Sequence, residues 1–370
     1  MKILIAAAGT GGHINPAIAI AKYCVEQDKS TKILFVGTEK GLENRLVTAA
    51  GFNLVHLKIR GIKRKITFEN IIAIKELIFS YRRVKQIIRE FKPDIVIGTG
   101  GYICGPVLST SLRLNIPTII HESNAIPGVT TKLLSRKLDA IAIGFEETRS
   151  HLKNLNNVIN TGTPVIFNKN FIGMTKNAAK QKLEINDEIP LLLIYGGSQG
   201  ATSINNAVIE MIKNHAKSIK FNIIFATGNN SYDSVMKRLQ GKVKSNIKVL
   251  PYIYNMDQLM AAADLAVTRA GAMTCNEVAV YGLPSIMIPF PYAAENHQEF
   301  NARALEGAGA AQVILDKDLN GDVLYDKVVS IINNKNILSQ MTLKAKILRV
   351  DDADKNIYKI IERLVKNQVN

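Results

Sequence analysis

Short apolar runs bounded by Gly, Asn or Pro alternate along the chain with longer amphipathic stretches, the pattern of a mostly parallel sheet covered by helices on both faces. In the first half, Ile3–Ala7, Ile33–Val36, Leu54–Leu57, Ile95–Gly98, Thr118–His121 and Ala140–Ile143 predict strands. The second half restarts at Leu191–Tyr195 and repeats at Asn222–Ala226, Ile247–Leu250, Leu265–Val267, Ser285–Ile288 and Gln312–Ile314. Two successive sets of strand and helix signals predict an α/β protein with two doubly wound domains. The seam falls where TGTPVIFNKN, residues 161–170, breaks the periodicity, which gives domains of 1–163 and 164–370. The 370 residues suffice for two separate cores.

Charge adds to this picture. The chain carries 47 Lys and Arg against 31 Asp and Glu, a net charge of +16, which suits an anionic partner such as nucleic acid, acidic lipid or a phosphorylated ligand. Residues 1–165 hold 23 basic and 12 acidic side chains, and Lys58–Lys92 alone holds eleven against three. In that stretch Ile71, Ile74, Ile78 and Tyr81 recur at helical spacing beside Lys63, Arg64, Lys65, Arg82, Arg83 and Arg89. Such a helix either lies in an anionic lipid headgroup layer or packs its Ile stripe on the sheet with the cations solvated. No apolar run reaches the roughly 18 residues of a membrane span. The start, MKILIAAAGTGGH, reads as a buried first strand rather than a signal peptide. Cys24, Cys104 and Cys275 lie too far apart to suggest a disulfide framework, which fits a reducing compartment.

Three glycine-rich segments each follow a predicted strand and precede a predicted helix: AAAGTGGH (6–13), GTGGYICGP (98–106) and YGGSQGA (195–201). Glycine permits sharp turns and close backbone approach, and the first amides of the following helix make an anion site. Neither familiar nucleotide fingerprint fits. Gly9 and Gly11 begin G-x-G-x-x-G but Ile14 holds the third position, and no GxxxxGK[ST] string exists.

Four further features bear on chemistry. His13 stands in a glycine loop, placed for proton transfer or an anion contact, and His121 ends another strand on the same rim, while His56, His151 and His215 read as structural or exposed. Glu277 in RAGAMTCNEVAVYG suits a ribose diol, but Thr274 and Glu277 also have capping-box spacing. Arg269 is either a phosphate partner or a surface cation. Asp352 and Asp354 form a DxD string placed for N-capping, and with no HExxH and no clustered His and Asp set, a dedicated metal site is not expected. Nucleic-acid binding is also not expected: Trp is absent, aromatic residues do not interleave with the cations, and no nucleic-acid module is present.

GTGGHINPA, GTGGYICGP, HESNAIPG, YGGSQGA, RAGAMTCNE and PFPYAAENHQEFNA, in this order, closely resemble the MurG family of bacterial N-acetylglucosaminyltransferases across nearly the whole chain. The resemblance implies a GT-B fold, two Rossmann-like domains facing across a cleft, with the last helix packing back on the N-terminal domain. It implies inverting transfer of N-acetylglucosamine from UDP-GlcNAc to the 4-hydroxyl of the muramyl sugar of lipid I, the undecaprenyl-diphosphate muramyl-pentapeptide, giving lipid II for peptidoglycan, without cofactor or metal. It further implies a peripheral protein on the cytoplasmic face of the bacterial cell membrane, meeting an anionic surface and other cell-wall synthesis and division proteins. By motif, Ser198 would bind the diphosphate, Glu277 the ribose and Ile253 the uracil, with Ala272 and Met273 lining the donor pocket and His297 and Gln298 at the sugar. Thr10, Gly11, Gly12, His13 and Asn124 would reach the transferring centre from the other domain, with His13 as candidate general base. Gly100, Gly101 and Tyr102 would form the acceptor and phosphate loop. Under this resemblance the helix bearing Ile71 and Arg89 reads as the membrane face. Other members of the GT-B fold, a glycolipid transferase or a UDP-N-acetylglucosamine epimerase, share the donor half. One departure stands out: Ile166 follows Pro-Val where the family commonly has Arg, leaving a phosphate contact missing or supplied by Arg269 or another cation.

Overall fold

The computed structural model describes the chain except residues 62–67, 166–169, 187 and 370, and except the side chains of 68–72, 74 and 369. The chain divides into two compact units, Met1–Ile166 with Val350–Asn370, and Phe167–Arg349.

The first unit contains a seven-stranded sheet in the order β3-β2-β1-β4-β5-β6-β7, every neighbouring pair parallel. Its strands are β1 (Lys2–Ala6), β2 (Lys32–Thr38), β3 (Asn53–Leu57), β4 (Ile95–Gly98), β5 (Thr118–Glu122), β6 (Ala140–Ile143) and β7 (Val158–Asn160). Alternate residues of β1 enter opposite cores, Ile3 and Ile5 one and Leu4 and Ala6 the other, because both faces of a parallel sheet are covered. The helix Gly11–Gln27 and the C-terminal helix Ala353–Val369 close the first face, the latter through Ile357, Ile360 and Ile361. The last helix therefore belongs to the first unit although it follows the second in the chain. The helices Phe68–Phe91 and Cys104–Arg113 close the other face.

The second unit repeats the plan with β8 (Leu191–Tyr195), β9 (Asn222–Ala226), β10 (Ile247–Leu250), β11 (Leu265–Thr268), β12 (Ser285–Met287) and β13 (Ala311–Val313), ordered β10-β9-β8-β11-β12-β13 and all parallel. In each unit the strand order reverses beside the first strand, between β1 and β4 and between β8 and β11. Open α/β sheets bind ligands beyond the carboxyl ends of the strands at this switch point. The three glycine segments follow β1, β4 and β8, so all three flank a switch point.

The helices that open at the switch points, like Glu43–Ala49, Val129–Leu134, Tyr232–Arg238, Met256–Ala262 and His297–Gly307 elsewhere, start without a side-chain cap. Side-chain caps close the helices Lys176–Lys182, Gly321–Ile332 and Lys335–Leu348, through Thr175, Asn320 and Asn334. Gly11–Gln27, Cys104–Arg113, Thr202–His215 and Ala272–Tyr281, which open at the switch points, have no side-chain cap. Their first amides have no capping side chain and can receive an anion.

Candidate active site

In the first unit the loop after β1 is pinned from beneath by Glu43. This fully buried carboxylate accepts from the Thr38 amide (2.7 Å), the Thr38 hydroxyl (2.6 Å) and the Gly9 amide (3.3 Å). Gly9 takes φ 99°, which turns the chain into the helix bearing His13. His13 Nδ1 lies 3.2 Å from the Ala8 carbonyl oxygen. A carbonyl only accepts, so Nδ1 carries the proton and Nε2 is the basic nitrogen of the neutral ring. The loop after β4 locks onto the same place: the Thr99 hydroxyl donates to the His13 carbonyl (2.8 Å), and the Gly100 amide donates to Cys104 Sγ (3.3 Å). Thr10, Gly11 and Gly12 open the helix, and Gly101 runs so close to Ala8 that an added Cβ would stand 2.5 Å from its carbonyl oxygen. Tyr102 is exposed, its ring beside Gly61.

His121 has a structural role. Its Nε2 donates to the Gly162 carbonyl (3.1 Å), Nδ1 meets the Ser123 hydroxyl (3.2 Å), and burial pushes its pKa down to about 4, so the ring stays neutral. The neighbouring Glu122 folds the HESNAIPG turn by accepting from the Asn124 amide and Nδ2 (both 3.2 Å), the Gly128 amide (2.9 Å) and the Thr131 hydroxyl (2.8 Å), which fixes Asn124 on the rim.

On the helix Phe68–Phe91 the core stripe is Ala73, Ser80, Val84, Ile87 and Ile88. Ile78 and Phe79 face solvent at 57% and 62% exposure, beside exposed Arg82, Arg83 and Arg89, so Ile78 is not packed on the sheet. Tyr81 departs from the expected stripe: the Ser109 hydroxyl donates to its Oη (3.4 Å) and Arg113 lies over its ring, which holds it against the next helix. The side chains of Ile71 and Ile74 lie outside the described residues, as does Ile166.

In the second unit, Gly197 and Gly200 take φ 90° and 76° in the loop after β8, and Ser198 is exposed on it ahead of the uncapped helix Thr202–His215. The capping-box alternative for Glu277 does not hold. The helix begins at Ala272 with Gly271 as its cap, so Glu277 lies in the second turn, beyond reach of the cap. Burial and the nearby Asp257 carboxylate raise its pKa to about 7, and among the described residues no cation pairs with it. Asp257 in turn accepts from Tyr281 Oη (2.9 Å). Ala272 and Met273 form the first turn of the same helix.

Arg269 is mostly buried and bonded within its own unit rather than being a surface cation. Its guanidinium donates to Asp316 (2.5 Å), the Ser203 hydroxyl (2.8 Å) and the carbonyls of Ile288 and Pro289 (both 3.2 Å), and lies over Phe290. Ile253 is buried between the exposed Tyr252 and Tyr254. Gln298 Oε1 accepts from the Phe290 amide (3.0 Å), and His297 Nδ1 lies 2.5 Å from the Ala294 carbonyl oxygen. Just before them Glu295 and Asn296 take φ 52° and 57°, two consecutive non-glycine residues in a left-handed conformation, a sharp corner that presents His297 and Gln298 at a helix start. Among the described residues no group of three or more His, Cys, Asp or Glu side chains is arranged to hold a metal ion.

The glycosyltransferase family 28 N-terminal domain matches residues 3–143 and its C-terminal domain residues 191–357. Over 369 residues, all of this chain and 99% of the relative, the sequence is 47% identical to the UDP-N-acetylglucosamine–N-acetylmuramyl-(pentapeptide) pyrophosphoryl-undecaprenol N-acetylglucosamine transferase of Acetivibrio thermocellus. The chain belongs to the MurG branch of glycosyltransferase family 28. The identically named protein of Ruminiclostridium cellulolyticum is 45% identical, over 99% of this chain and all of that protein. The crystal structure of Acinetobacter baumannii MurG superposes with a TM-score of 0.80 at 26% identity, covering 98% of this chain and 99% of that one. A Neisseria meningitidis UDP-GlcNAc 2-epimerase bound to UDP-GlcNAc shares the fold, with a TM-score of 0.68 at 16% identity over 98% of this chain and all of that one. The family 28 assignment fits the two parallel α/β units and the GT-B expectation.

Glu43, Glu122, Asp257, Glu295 and Asn296 escaped the sequence reading. Glu122 and Glu43 act mainly on turns a few residues away, Glu43 also on distant Gly9, whereas Asp257 acts through the tertiary neighbours Tyr281 and Glu277, and Glu295 and Asn296 through backbone angles.

Proposed function

We propose that this chain transfers N-acetylglucosamine from UDP-GlcNAc to the muramyl 4-hydroxyl of lipid I, releasing UDP and giving lipid II. The observation that carries this reading is 47% identity over the full length to a transferase so named. The rims of both units supply chemistry suited to it.

The donor is assigned to the second unit. Glu277, kept without a cation beside Asp257, is a strong acceptor once ionised and suits the two hydroxyls of a ribose. The loop at Ser198 and the uncapped amides of the helix Thr202–His215 suit a diphosphate, whose charge grows as the sugar leaves. Ile253 is assigned to the uracil, Ala272 and Met273 to the pocket wall, and His297 and Gln298 to the sugar. In a single inverting displacement the acceptor oxygen bonds to the anomeric carbon, the bond from that carbon to the UDP oxygen breaks with its electron pair, and the hydroxyl proton passes to His13 Nε2. A general base of this kind contributes a factor of about 10² to 10⁴ in rate. Thr10, Gly11, Gly12, Asn124, Gly100, Gly101 and Tyr102 are assigned to the same centre and to the acceptor diphosphate.

The lipid acceptor and the exposed Ile78 and Phe79 beside Arg82, Arg83 and Arg89 support a peripheral place on an anionic membrane, on its cytoplasmic face where UDP-sugars are made. Incubating the protein with labelled UDP-GlcNAc and, separately, a lipid I analogue, diacylglycerol or no acceptor tests the reading. Label must appear in the lipid I product alone; transfer to diacylglycerol, or epimerised UDP-sugar, contradicts it.

A further inference from the structure

The first unit holds a cavity of about 390 Å³ away from the glycine loops, lined by Ile159, Asn160, Asn356, Lys359, Ile360 and Arg363. It lies between β7, the edge strand, and the C-terminal helix, three strands beyond β4 and hence roughly 14 Å from the switch point. We propose that this cavity is a second anion site, which takes a small, soluble, phosphate-bearing organic molecule.

The charge pattern of the helix Ala353–Val369 points to an anion. Lys355 pairs with Asp352 (4.0 Å) and Lys366 with Glu362 (3.8 Å), each within its own helix or the turn before it. Between them Lys359 and Arg363 stand one turn apart on the cavity wall, exposed, and among the described residues no carboxylate pairs with either. Two like charges four residues apart disfavour a helix, so a neutralising ligand repays what the bare pair costs.

The remaining lining suits a phosphate with an organic body. The amide of Asn160 donates once to Glu146 (3.1 Å) and that of Asn356 once to the Asp351 carbonyl (3.0 Å), and each has a second hydrogen. Glu146, which accepts from Asn160, is already paired with Arg149 at 2.5 Å. Ile159 and Ile360 supply apolar surface, and the volume falls within the range of small-molecule sites rather than that of a bare ion. The helix covers the sheet face of Ile3 and Ile5, whereas Phe68–Phe91 with its exposed Ile78 covers the opposite face. A soluble compound is therefore favoured over a lipid headgroup.

The test is calorimetric titration with inorganic pyrophosphate at low salt, with UDP present to fill the donor loops, on the wild type and on the Lys359→Gln/Arg363→Gln variant. Both replaced side chains are exposed, and equal UDP binding by the two proteins reports an intact fold. Pyrophosphate should bind the wild type and bind the variant at least roughly tenfold more weakly, the loss expected for charge-assisted contacts. Because the readout is the difference between the two proteins, it is separate from the donor assignment. Equal affinity in both, or no binding to the wild type, overturns the proposal. Sedimentation with phosphatidylglycerol vesicles should be alike for both, and loss of vesicle binding in the variant assigns the cations to a headgroup and overturns the soluble ligand.

Discussion

Gly100 lies flat against the imidazole of His13: a Cβ built on it would stand 2.8 Å from both Cγ and Nε2 of that ring. The loops after β1 and β4 thus meet at the atom assigned to the proton, and only a residue without a side chain permits it. Gly100 also takes φ 122°, a conformation that costs a side-chain-bearing residue about 1–3 kcal/mol. Gly100→Ala is expected to move the ring and lower kcat steeply while leaving the KM for UDP-GlcNAc nearly unchanged. Steady-state kinetics with both substrates checks this, and a raised donor KM with intact kcat contradicts it.

For His13→Ala the expected loss in kcat is about 10² to 10⁴, with donor affinity intact. His13→Gln keeps a hydrogen-bonding side chain but no basic nitrogen, so it should rescue little. Substantial rescue by Gln makes His13 a binding residue rather than the base.

Glu277 titrates near neutrality, raised by burial and then by Asp257 from an ordinary value of 4.5 to about 7. Its carboxylate accepts hydroxyl donors best when ionised, so the KM for UDP-GlcNAc should fall as pH rises through about 7. The same shift acts on folding. Between the two values the folded chain binds more protons than the unfolded one, so stability from this group is full below about 4.5 and declines as pH rises through about 7. Asp257→Asn removes the repulsion and keeps an acceptor for Tyr281. It should move the donor KM transition to lower pH and raise Tm above pH 7, measured by kinetics and thermal melts across pH. An unmoved transition assigns the pH dependence elsewhere.

Ile78→Glu with Phe79→Glu, or Arg82, Arg83 and Arg89 each to Glu, should release the protein from anionic vesicles, since each cation at such a surface contributes about 1 kcal/mol. Flotation with phosphatidylglycerol liposomes measures it, and undiminished binding returns this helix to an ordinary solvated face.

Twelve strands and the two-domain plan were legible because a parallel sheet covered on both faces needs unbroken apolar runs, and those survive in one dimension. β7 was not, since an edge strand of three residues with one deeply buried side chain, Val158, leaves no such run. The glycine loops were legible from composition and position. Tyr81 misled because helical spacing shows which residues share a face but not what covers it: here Ser109 and Arg113 do. The burial of Arg269 was hidden for the same reason, its partners Asp316 and Ser203 lying 47 and 66 residues away. For Glu277 the capping alternative was removed only by where its helix starts.

The most direct measurement is a crystal structure of the complex with UDP-GlcNAc. The diphosphate should rest on the backbone amides at Ser198 and the start of the helix Thr202–His215, with the ribose hydroxyls on the Glu277 carboxylate. A nucleotide bound away from both residues contradicts the donor site and the transfer chemistry built on it.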